Sequence, residues 1–108
     1  MSIKNFADLQ RMVMISNDEF LLDNPQSKTD VGLQTSMRDE GFMADGVVID
    51  QHSTSKRIVF HMHDNHPGVV GYASGYSNRA NKTDMQTIEL DKINIAFIIV
   101  KTLICDGD

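Results

Sequence analysis

The chain predicts an α+β fold in one domain covering residues 1–108: two N-terminal helices, a four-stranded antiparallel meander and a C-terminal helix. Three observations carry this expectation. Apolar residues recur at helical spacing near the start, alternate at strand spacing from Gly46 onward, and return as one long apolar run near the end. With 108 residues, 41% of them hydrophobic, the chain can build one modest core.

Taken in order, Ile3, Phe6, Ala7, Leu9, Met12 and Val13 share one helical face, with Lys4, Asp8 and Arg11 opposite. They predict a helix over Ile3–Met14 with Ser2 as N-cap. Asn17–Thr29 is polar, carries the Asn24-Pro25 turn signal and holds one short apolar segment, Phe20-Leu21-Leu22. A second helix is expected over Asp30–Glu40. Thr29 or Asp30 would cap it, Val31, Leu33 and Met37 would form its stripe, and Gly41 would stop it. Gly32 in its first turn costs about 1 kcal/mol relative to alanine.

Gly46–Gln51 and Arg57–His63 read as strands joined by His52–Lys56. In the second, Ile58, Phe60 and Met62 alternate with Arg57, Val59, His61 and His63, which places both histidines opposite the apolar face. Asp64–Gly68 is a turn, Val69–Ala73 a third strand, Gly75–Asp84 a polar loop and Met85–Leu90 a fourth strand. Lys92–Ile104 fits either type of element. Its length, Asp91 as N-cap, and one polar arc of Asn94, Lys101 and Thr102 favour a helix. Such a helix is apolar round most of its circumference and needs cover beyond one sheet face. A homodimer with paired C-terminal helices supplies it; packing by the N-terminal helices is the alternative.

The lone Cys105 permits no intramolecular disulfide and suits a reducing compartment. Met1–Asn5 lacks the layout of a signal peptide, and Ile93–Ile104 is too short and interrupted to span a bilayer, so a cytoplasmic protein without membrane contact is expected. The net charge of −5 is unevenly spread. Asn17–Asp50 holds eight acids against Lys28 and Arg38, whereas Gln51–Lys82 holds Lys56, Arg57, Arg79 and Lys82 against Asp64. An acidic surface suits a basic protein partner and disfavours general nucleic-acid affinity, which needs clustered cations.

Two segments carry candidate chemistry. His61 and His63, at i and i+2 on a strand, point the same way, with His66 or Asp64 in the following turn able to approach as a third ligand and His52 as a fourth; this is how strand-borne sites present ligands to a divalent metal. The spacing resembles the His-rich motif of metallo-β-lactamase-type hydrolases, in which an aspartate precedes the third histidine where Asn65 stands here. The second segment runs from Gly71 to Lys82. Tyr72 and Tyr76 can stack on a base or aromatic partner, and Asn78, Arg79 and Lys82 can hold a phosphate or carboxylate, which suits a nucleotide-like ligand. It contains neither a P-loop nor a dinucleotide-binding glycine pattern.

Catalytic signals are weak. The Asp106 charge beside Cys105 disfavours a thiolate, no elbow motif surrounds Ser74 or Ser77, and the carboxylate pairs fall in solvated positions. The leading expectation is a non-catalytic binding protein of inhibitor, immunity or anti-defence type that sequesters a protein or small ligand. A metal-binding domain or small metal enzyme on His61, His63 and His66 is the first alternative. A nucleotide or single-strand nucleic-acid binder using Tyr72–Arg79 is the second.

Overall fold

The structure, a computed structural model, describes residues 3–34, 36–76 and 85–106. In chain order the elements are α1 (Phe6–Asp23), β1 (Thr29–Gln34), a one-turn α2 (Ser36–Asp39), β2 (Ala44–Gln51), β3 (Lys56–His63), β4 (Val69–Tyr76), β5 (Gln86–Glu89) and α3 (Ile95–Asp106). The α+β class holds, with a five-stranded antiparallel meander in sequential order β1 to β5. The long helices α1 and α3 share one face of the sheet. There Leu9, Met12 and Val13 meet Val47, Ile49, Ile58, Phe60, Met62, Val70 and Ile98 in a single core.

Helix α1 starts at Asn5, not Ser2. The Asn5 side chain accepts the Asp8 N–H at 2.9 Å, and Asp8 Oδ2 in turn accepts the Lys4 N–H. The helix then runs nine residues past the expected Met14, to Asp23. Its buried stripe is Leu9, Met12, Val13, Ser16, Asn17 and Phe20, a continuous helical series in which two members are polar. Each polar member is satisfied locally: Ser16 Oγ donates to the Met12 carbonyl, and Asn17 Oδ1 accepts from Thr29 Oγ1, both at 2.7 Å. Phe20 is thus a core residue of α1, while Leu22 is exposed.

The second expected helix is mostly a strand. Val31 and Leu33, two residues apart with Thr29, form a period-2 series, and β1 pairs with β2 through Thr29↔Gln51, Val31↔Ile49 and Leu33↔Val47. Gly32, unfavourable in a helix, sits where a Cβ would make ordinary contact with Val48 Cγ2 at 3.6 Å. Helix survives only as the turn of α2, ended as expected at Gly41, whose φ is +95°.

At the other end, α3 is a helix, but Asn94 caps it rather than Asp91: its side chain accepts the Phe97 N–H at 2.8 Å. Thr102, placed by sequence in a polar arc, is fully buried and donates to the Ile98 carbonyl. Beside α3 on the same sheet face, α1 packs against it, while Val100 of α3 stays 53% exposed. The contact with α1 supplies part of the cover for which a homodimer was expected. Among the described residues no helix is long and apolar enough to cross a membrane.

Candidate functional site

The antiparallel register sorts every strand residue onto one of two faces. The face turned from α1 and α3 carries Gln34, Gly46, His61, Gly71 and Thr87 as one row across all five strands. His61 therefore has glycine as its register partner on both sides. Over Gly46 its ring reaches β1, where Nε2 lies 3.2 Å from Gln34 Oε1. Over Gly71 the backbone is bare, and Met85 lies across it: a Cβ at Gly71 would approach Met85 Cγ to 3.2 Å and Sδ to 3.3 Å.

The space above this bare strip is a cavity of about 420 Å³. Ala44, Val69 and Gly71 form its floor, Phe42 and Met85 its walls, and His61, His63, His66 and Thr87 its polar groups. A second hollow of about 180 Å³ continues along the same face past Arg57 and Gly75, sharing His61 and Met85 with the first. Phe42, Met43 and Met85 are each roughly half exposed, at 59%, 54% and 45%.

Local structure places the walls. Gly41 ends α2 and throws Phe42 over the end of β2, and the Asp64 N–H holds this link by donating to the Met43 carbonyl at 2.7 Å. The β3–β4 turn closes through His66 N–H to the His63 carbonyl, which brings the two rings to 5.7 Å between centroids. Nearby, Arg38 grips Asp45 at 2.7 Å and Asp64 at 2.9 Å; its guanidinium holds both carboxyls below their usual range.

His61, His63 and His66 thus line one cavity but are not arranged as a metal site. Among the described residues no group of three or more His, Cys, Asp or Glu side chains is placed to hold an ion. The rings have protein partners instead: His61 Nε2 faces Gln34, and His63 Nδ1 accepts the Asn65 N–H at 3.1 Å. Burial also pushes the His61 pKa below the ordinary imidazole value, so the ring is neutral at pH 7. His52 is remote from this row and pairs with Asp30 at 2.7 Å.

The tyrosine segment divides differently from the sequence expectation. β4 starts at Val69 as expected but runs past Ala73 to Tyr76, so Gly75 and Tyr76 belong to the strand rather than to a loop, and Tyr72 faces the helix layer. Its ring meets Phe97 edge-on at 5.3 Å, lies under Lys101 Nζ at 5.2 Å, and its hydroxyl donates to Gln86 Oε1 at 2.9 Å. Tyr72 is a packing residue between β4 and α3. Asn78, Arg79 and Lys82 lie outside the described residues.

The charge segregation seen along the chain is partly cancelled across the sheet. Asp50 and Arg57 are register partners joined at 2.6 Å and mostly buried, and Asp30, Asp45 and Asp64 are paired as described above. Asp18, Glu19 and Asp23 stay exposed on α1.

Sequence reading missed Phe42, Met85, Gln34 and Thr87, and singled out Gly71 only as part of the tyrosine segment. Phe42 carried one available signal, a large apolar residue just past the Gly41 helix stop, where turn chemistry calls for a polar one; Met85 was read as the first residue of the fourth expected strand, which as β5 starts at Gln86. Comparison with protein-family models, with curated proteins and with solved structures finds no match for this chain.

Proposed function

We propose that this chain is a small binding protein without catalytic chemistry of its own, which sequesters its ligand or partner on the open face of the sheet. One observation carries the reading. A soluble sheet face needs only polar side chains, yet this one has a bare apolar floor between two half-exposed walls, Phe42 and Met85. A cavity of about 420 Å³ with few polar groups has the size and character of a ligand pocket, for which about 300–1,000 Å³ is usual.

The reactive side chains support the non-catalytic half of the proposal. The carboxylates beside the groove are neutralised by Arg38 and Arg57, and the two strand histidines are oriented by protein partners. The metal reading loses support because, among the described residues, no three His, Cys, Asp or Glu side chains are placed to hold an ion. A basic protein partner would need a second surface, because the exposed acids of α1 lie on the helix side of the sheet, and salt would then slow its association steeply.

The test is native mass spectrometry of the full chain purified from its own host, beside the Phe42→Ser and Met85→Ser variants. The wild type is expected to carry a bound species that both variants lose while keeping the same circular dichroism. Equal retention by all three would refute the open face as the binding surface.

A further inference from the structure

Hydrogen bonds within the protein dictate the proton positions on the two strand histidines of the groove. His63 Nδ1 accepts the Asn65 N–H, and an accepting imidazole nitrogen bears no proton. In the neutral ring the proton therefore sits on Nε2, which becomes a donor. His61 is set the other way. Its Nε2 faces the amide oxygen of Gln34, and in the tautomer that donates to that oxygen Nδ1 keeps its lone pair as an acceptor. Both residues line the same cavity, two positions apart on β3 and so roughly 6.5–7 Å apart along the strand.

We propose that this groove takes a flat, uncharged heteroaromatic molecule with an acceptor and a donor on one edge, the chemical class of purine bases and fused lactams. This rests on the open face being the binding surface. His63 donates to the acceptor of such a ligand and His61 accepts from its donor. Flatness follows from the floor, where Ala44 is buried, Gly71 carries no side chain and Met85 lies across it. Met85 and Phe42 offer soft sulfur and ring contacts to a π-face. Neutrality follows from charge complementarity. Among the described residues Arg57 is committed to Asp50 and Arg38 is shared by Asp45 and Asp64, three carboxylates to two guanidiniums, so a buried ligand anion would lose its hydration without a counter-ion. Burial favours neutral His61, the form that can accept.

The experiment titrates the isotope-labelled full chain with three probes and follows amide chemical shifts. Hypoxanthine presents the lactam acceptor and donor side by side, 6-methoxypurine lacks that donor, and 2-naphthoate is flat but anionic. Hypoxanthine is expected to shift the amides of His61, Gly71 and Thr87 saturably and to bind at least about tenfold more tightly than either control, the worth of one good hydrogen bond. His63→Phe should weaken it by a similar factor. Gly71→Leu should abolish it, with Met85→Ala as a second variant should the leucine disturb folding. Tighter binding of 2-naphthoate, or equal binding of 6-methoxypurine, overturns the assignment. So does the absence of shifts with all three at low-millimolar concentration. In those cases loss of the native bound species from Phe42→Ser and Met85→Ser would leave the open face standing as the binding surface, whereas its retention would remove both.

Discussion

Thr29 tests the part of the fold that departs most from its sequence pattern. Its hydroxyl donates to Asn17 Oδ1 at 2.7 Å, and the two residues are only 7% and 6% exposed, so no water replaces a lost partner cheaply. Thr29→Val keeps the shape and removes the donor. It strands a buried amide oxygen, which costs about 1–3 kcal/mol. For a domain near this size each kcal/mol lowers the melting temperature by about 4–8 °C. A destabilisation alone does not discriminate, because loss of a helix N-cap at Thr29 would cost about 1 kcal/mol as well. The double-mutant cycle with Asn17→Ala does. If Thr29 begins a strand latched to α1, the cycle shows a coupling of about 1 kcal/mol or more, read from urea midpoints at constant slope. If Thr29 caps a helix of its own, Asn17 has no part in it. Additivity within about 0.5 kcal/mol would then refute the latch and, with it, β1.

Gly41→Ala should lower stability by about 1 kcal/mol through backbone strain alone, since φ is +95° and no atom lies within 4 Å of the added Cβ; an unchanged urea midpoint would contradict that conformation. Burial lowers the His61 pKa in the native state, so the unfolded chain, with the ordinary value of about 6.5, takes up its proton first on acidification. The associated stability is complete above about pH 6.5 and is lost as pH falls toward and through the lower native value; His61→Gln should flatten the stability profile between about pH 7 and pH 5, and identical profiles would refute the burial.

The readable parts of this chain were those where one period dominates. Ile58, Phe60 and Met62 alternate cleanly with Arg57, Val59, His61 and His63, and β3 lies where that alternation places it, with both histidines off the core face. Helix α1 read short because Ser16 and Asn17 interrupt its apolar series. Their burial depends on a bond to the helix's own carbonyl and a bond to Thr29, neither visible in a hydropathy pattern. The Asp30–Glu40 segment misled for the opposite reason: Met37, Asp39 and Gly41 supply helix-like punctuation, while Val31 and Leu33 already stood at strand spacing. The histidines of the groove were legible as a cluster. Their partners were not, since Gln34 is distant in sequence and reaches His61 only through the register of three strands.

That register gives the groove its physical logic. Small residues weaken a strand, through backbone entropy and lost cross-strand packing, and yet the open face of β4 presents Gly71, Ala73 and Gly75 in succession, with Gly46 in β2 and Gly32 in β1 on the same face. On the helix face the same strands carry Val47, Ile49, Ile58, Phe60 and Val70. The poverty of side chains is therefore confined to one side of the sheet. Solubility alone would be served better by threonine, lysine or glutamate, which also pair across strands. What the glycines provide is clearance. Gly46 lets His61 lie flat toward Gln34, and Gly71 leaves the bare strip that Met85 overhangs. A bulky residue at position 46 would stand between His61 and Gln34 and release the ring, while one at position 71 would fill the cavity. The two glycines thus act on the groove in distinct ways, one as the register partner beside which His61 meets Gln34 and the other by leaving room for the Met85 side chain.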